Sequence, residues 1–120
     1  MKMLNKGSLE SPDETRKFKA HGYVEIVNIG EFSMARATFE PGWKWSNDLK
    51  PIAGTETCEV RHTGVFLSGR MTVHADDGSE VQYGPGDVFV IEPGHDAWVE
   101  GDEPCILLDT GMAPYAVPAS

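Results

Sequence analysis

Positive charge is scarce in this chain. Its 120 residues include 10 Lys or Arg against 19 Asp or Glu, a formal net charge of −9. Nucleic acid is not expected as a partner, because phosphate binding needs clustered cations, and neither is an anionic membrane surface. Long apolar runs are also missing. No stretch approaches the roughly 20 residues that cross a bilayer, and Met1–Ala20 lacks the apolar centre of a signal peptide. A cytoplasmic address is therefore expected. Cysteine is limited to Cys58 and Cys105, read as two thiols in a reducing compartment. Room for helix is lacking too. The 13 Gly and 8 Pro interrupt the chain about every 8–12 residues, and no amphipathic helix fits between the breaks. There is no internal repeat.

What remains is the pattern of an all-β domain. The length suits one domain and is enough to bury a core without staples. Residues 1–20 carry five basic and three acidic side chains, the rest five basic and sixteen acidic. The first twenty residues read as a polar arm, with Ser11-Pro12-Asp13-Glu14 able to start one helical turn. The barrel is expected over 21–112 and a loose tail over 113–120. Tyr23–Val27 and Phe32–Phe39 alternate as half-buried strands do. Met71–Ala75 and Glu80–Tyr83 flank Asp76-Asp77-Gly78-Ser79, whose Asp-Gly offers the positive φ of a tight hairpin. His74 in this hairpin reads as a rim histidine. Val88–Ile91 and Cys105–Leu108 are continuous apolar runs, the pattern of strands buried on both faces. Regular short strands between turn signals point to an antiparallel barrel or sandwich.

The run Val65-Phe66-Leu67-Ser68-Gly69, the Asp-Asp-Gly hairpin, Gly84-Pro85-Gly86-Asp87, the strand Val88–Ile91 and the turn Pro93-Gly94 together resemble the cupin family. The resemblance spans about Phe32 to Asp109. It implies a single cupin-type antiparallel β-barrel, jelly-roll-like, with a site inside it and a homodimer as the assembly. Cupins hold a metal through an H-x-H, a later Glu and a still later His. Counted back from Gly69, those positions fall on Glu56, Cys58 and His62. The later His position falls on Ala97, with His95 two residues before it. Gly42 precedes Glu56 by fourteen residues where the family has six. Either the site is lost, or its ligands are exchanged.

Exchange has a physical basis. Glu56, Cys58 and His62 share parity, so one extended strand would aim all three to one face. With His95 they would form a carboxylate, thiolate and two-imidazole set that suits a divalent transition metal. Zinc is favoured, and iron, manganese or nickel are the alternatives. The plain alternatives are a buried Cys acting as a small hydrophobe and a hydrogen-bonded core His. Without metal, Glu56 and His62 would still pair as acid and base. Trp43 and Trp45 would project from one side of a strand and, with Trp98, either pack the core or an interface, or wall a pocket for a small molecule. Asp96, next to His95, would point away from it and accept backbone N–H bonds instead. The expected function is a metal-dependent enzyme of isomerase, lyase or dioxygenase type. The alternative is a non-catalytic ligand-binding or sensing cupin without the usual metal site.

Overall fold

A computed structural model describes residues 3–18, 20–48, 50, 58 and 60–112. Its described strands are β1 (Glu14–Lys17), β2 (Gly22–Ile29), β3 (Phe32–Phe39), β4 (His62–Ser68), β5 (Arg70–Ala75), β6 (Glu80–Tyr83), β7 (Val88–Ile91), β8 (His95–Glu100) and β9 (Cys105–Asp109). A four-residue helix, α1 (Trp45–Asp48), lies between β3 and β4. Six strands form one antiparallel sheet in the order β1-β2-β3-β9-β4-β7, and three form another in the order β6-β5-β8. No helix among the described residues is long and apolar enough to cross a membrane.

Alternation decides which faces meet. Val24 and Ile26 of β2, Ala35, Ala37 and Phe39 of β3, Phe66 of β4 and Leu107 of β9 are buried together with Met71, Val73 and Ala97 of the small sheet. The two sheets therefore share one core between their inner faces. The expected hairpin is present. Gly78 has φ 90°, the backbone N–H of Ser79 donates to Asp77 Oδ1 at 2.8 Å, and Met71–His74 pair with Glu80–Tyr83. His74 is exposed beside Glu80, its Nδ1 3.3 Å from the carboxylate.

Three local expectations are corrected. Ser11–Glu14 does not start a helical turn. Asp13 accepts the backbone N–H of Asn28 at 2.7 Å, and Asp13 N–H donates to Ile26 O. Asp13 is thus bonded to β2 rather than in the first turn of a helix, and Glu14–Lys17 extend the sheet as an edge strand. Val88–Ile91 is not buried on both faces. β7 is an edge strand, with Phe89 inside and Val88 and Val90 79% and 57% exposed. Finally, Trp43 and Trp45 are not strand neighbours. Gly42 turns the chain at φ 94°, Lys44 makes one isolated pairing with Trp98, and α1 begins at Trp45. Asp48 anchors that turn by accepting the Lys44 N–H at 3.0 Å. Asp96 accepts the N–H groups of Ser46 and Ala97 at 3.1 and 2.9 Å, the backbone role expected for it. The tail 113–120 lies outside the described residues.

Candidate metal centre

The site is assembled from three places in the chain. β4 starts at His62, and its inward parity aims His62 and Phe66 at the core. β8 starts at His95, also buried. Cys58 is not part of β4. It is held against β8 instead: its N–H donates to His95 O at 2.8 Å and its carbonyl accepts from Gly94 N–H at 2.7 Å. This pairing brings the thiol beside both rings. Glu56 lies outside the described residues.

Each ring is oriented by a bond at Nδ1. His62 Nδ1 lies 2.7 Å from Asp109 Oδ2, and His95 Nδ1 lies 2.8 Å from the Glu92 carbonyl. A carbonyl only accepts, so His95 carries its proton on Nδ1 and leaves Nε2 with a lone pair. Asp109 likewise accepts the Nδ1–H of His62, so His62 ligates through Nε2 once the proton there has left. His62 Nε2 lies 3.3 Å from Cys58 Sγ, and the rings of His62 and His95 meet edge to face at 5.4 Å. One ligand atom from each of Cys58, His62 and His95 lies within 4.8 Å of the others. With bonds of roughly 2.0–2.3 Å, neighbouring ligand atoms around tetrahedral zinc stand about 3.5 Å apart. The Cys58–His62 separation already matches that edge, and the set needs to draw in by about an ångström to close on an ion. Thiolate and imidazole are the donors zinc prefers, and a carboxylate or carbonyl behind each imidazole is the usual support for such ligands. The residues present fit the metal that the family resemblance implies.

Asp109 is the functional residue that the sequence reading missed. It is 4% exposed, and its second oxygen accepts the Gly111 N–H at 2.7 Å. The signal was there: a carboxylate closes the apolar run Cys105–Leu108 at the inward parity of Cys105 and Leu107. Gly111 is required by close approach, since a Cβ there would sit 2.3 Å from Arg61 O and 3.0 Å from His62 Nδ1.

Charge is concentrated on His62. Burial is the largest influence and disfavours its charged form, but hydrogen bonds to Asp109 and Cys58, with their negative charges, outweigh it and raise the pKa to about 9. Cys105, 0% exposed, shows the other outcome: burial alone pushes its thiol up to about 12, so it is an inert core thiol. Neither cysteine is in a disulfide.

The site opens into a cavity of about 40 Å³, room for an ion with a few waters or a ligand of few atoms. Its walls include Phe39, Trp43, Trp45 and Met112, with His62, His95 and Asp109 the ionisable groups among the described residues. Trp43 and Trp45 line this cavity and are also part of the buried core. Trp98 does not line it. Its neighbour Ala97 faces inward, so Trp98 turns out, donates Nε1–H to Glu100 at 2.6 Å and lies under the Lys44 ammonium at 5.4 Å.

Comparison with known proteins places this geometry. No curated protein sequence matches the chain. Among solved structures, a protein of unknown function from Acidithiobacillus ferrooxidans is similar over 83% of this chain and 88% of its own, with 19% identity and a TM-score of 0.60. A sugar phosphate isomerase of the cupin superfamily from Silicibacter pomeroyi covers 88% and 73%, with 19% identity and a TM-score of 0.61. A polyketide cyclase from Streptomyces resistomycificus covers 89% and 78%, with 17% identity and a TM-score of 0.61. At these identities the likeness is one of fold. The model of the EutQ-like cupin domain matches residues 30–106, most of the chain, and the chain belongs to that cupin family.

Proposed function

We propose that this cupin is a small metal-dependent enzyme acting on a small molecule inside the barrel, with isomerase, lyase or dioxygenase chemistry as the reaction classes. Cys58, His62 and His95 hold the ion, zinc by preference, and Glu56 supplies a fourth ligand. When bound, the metal acts as a Lewis acid on a substrate oxygen. Asp109 and the Glu92 carbonyl keep both imidazoles turned with Nε2 toward the centre. The apolar walls at Phe39, Trp43, Trp45 and Met112 limit substrate size and exclude water. One observation carries the reading: three ligand atoms of zinc-preferring types lie within 4.8 Å of one another. A cytoplasmic place of action suits cysteines held outside any disulfide, and the exposed Val88 and Val90 suit a homodimer.

A second reading rests on the bonds already made. Cys58, His62 and Asp109 form a chain of 3.3 and 2.7 Å contacts that is satisfied without metal. In that case the barrel is a metal-free binding or sensing module, or uses Cys58 as a nucleophile with His62 as its base.

Elemental analysis of protein purified without chelator decides between them. About one equivalent of transition metal is expected, lost in Cys58→Ala and His62→Ala. Zinc added to metal-free protein should raise the thermal midpoint, as any ligand of the folded state alone must. Metal-free protein whose midpoint ignores zinc would leave the second reading standing.

A further inference from the structure

One residue of the cavity wall, Trp43, carries a donor with nothing to bind. Trp43 Nε1 is buried and has no hydrogen-bond partner, the one side-chain nitrogen or oxygen in that condition among the described residues. Trp43 is 3% exposed. Its ring is clamped by Phe39 at 4.3 Å and Phe18 at 6.4 Å between centroids. It cannot turn outward to water as Trp98 does. Packing alone does not explain the indole, because a phenylalanine would pack there without a stranded polar group. Buried donors are almost always satisfied, and an indole N–H only donates. The missing component is therefore an acceptor.

We infer that Trp43 Nε1 donates a hydrogen bond to a carbonyl or carboxylate oxygen of a small ligand bound in the cavity. The neighbouring groups favour an oxygen that only accepts. Both oxygens of Asp109 and both histidine Nδ1 atoms are already bonded, and a bound metal would take up Cys58 Sγ and the two Nε2 lone pairs, so a ligand hydroxyl would find few acceptors for its own proton. The room, about 40 Å³, limits the ligand to a few heavy atoms. Among the described residues no lysine or arginine lines the cavity, and His62 already has Asp109 as its counter-charge. A carboxylate therefore needs the metal's charge beside it, whereas a neutral carbonyl does not. The inference rests on reading the cavity as a ligand site and assigns Trp43 as the residue that selects the ligand's oxygen.

The test uses protein labelled with ¹⁵N at the tryptophan indoles, titrated with acetate and with acetamide, each with and without one equivalent of zinc. Trp43→Phe identifies the Trp43 resonance. The Trp43 indole proton is expected to move downfield on binding, and Trp43→Phe to weaken affinity about five- to tenfold, the usual worth of one buried hydrogen bond. Acetate should need zinc and acetamide should not. Binding that leaves the indole proton still, affinity within about twofold in Trp43→Phe, or no binding of either probe overturns the assignment. Zinc binding is read separately from the midpoint. A silent indole in zinc-loaded protein ends this inference and spares the metal centre, and an indole that responds to acetamide in protein that takes no zinc does the reverse.

Discussion

His62 joins the two halves of the site's chemistry, the proton and the metal. Its pKa of about 9 lies above the unfolded value of about 6.5. The protonated ring is thus favoured by folding. The stability this contributes is fully present below pH 6.5 and is lost as pH rises through 9. The shift corresponds to an effect on the order of 3 kcal/mol. Urea unfolding of metal-free protein at several pH values should show that decline, and Asp109→Asn should flatten it. A metal must displace the proton before His62 can ligate, so zinc affinity should climb over the same interval. Asp109→Asn should weaken that affinity about 10–100-fold, read by competition with a chromogenic chelator. The sequence revealed the ligand types but not this partner. Cys58 and His62 are four residues apart and could be related by spacing, whereas Asp109 is 47 residues from His62. That contact follows from strand pairing and cannot be read from parity. Trp98 marks the converse failure. Its residue type suggested the pocket, but the parity it shares with neither His95 nor Ala97 turns it to the other face.

At the scale of elements, Asp109 reaches His62 because β9 lies between β3 and β4. Period-2 alternation made β2, β3, β5 and β6 visible in the sequence, and the Asp-Gly turn made the β5–β6 hairpin visible. The order of strands depends on long-range pairing that no local pattern encodes. The run Cys105–Leu108 illustrates the limit. It looked buried on both faces, yet Cys105, Leu107 and Asp109 are inside while Ile106 and Leu108 are half-covered. The central position of β9 is what shields its outer side. Close packing of β4 against β9 requires Gly64, where a Cβ would come within 1.8 Å of the Leu108 carbonyl oxygen and 3.0 Å of Phe89. Backbone cannot yield there as a flexible side chain would. Gly64→Ala should therefore cost about 1–3 kcal/mol or more and lower the thermal midpoint by several degrees. Since Gly64 pairs with Asp109, the variant should also lose zinc affinity. A Gly64→Ala protein of normal stability and affinity would mean that β9 does not set the distance between Asp109 and His62.

At the scale of the molecule, the outer face of the large sheet has two halves. Near β3, Arg36 bonds Glu25 at 3.0 Å and the Leu9 carbonyl at 3.3 Å, so the N-terminal segment reaches over this half. Near β7 the face is apolar. Val88 stands opposite Val65, which stands opposite Leu108, and Val90 and Leu67 are also exposed. Apolar side chains contiguous across neighbouring strands are an association surface rather than ordinary surface scatter. A second copy placed here would cover the exposed valines and the open edge of β7 together. Opposing this is the net charge of −9 on each chain. The two terms respond differently to salt. Burial of valine is little affected by moderate salt, whereas repulsion between two acidic molecules is screened over a Debye length of about 8 Å at physiological ionic strength. The proposed homodimer should therefore tighten as sodium chloride is raised, the opposite of an interface built on ion pairs. Analytical ultracentrifugation at low and physiological salt measures this directly. Val88→Glu with Val90→Lys should yield a folded monomer with an unchanged zinc-induced midpoint shift, because both side chains point away from the cavity. A monomeric wild-type protein at every salt concentration would rule out a homodimer through the Val88–Val90 face.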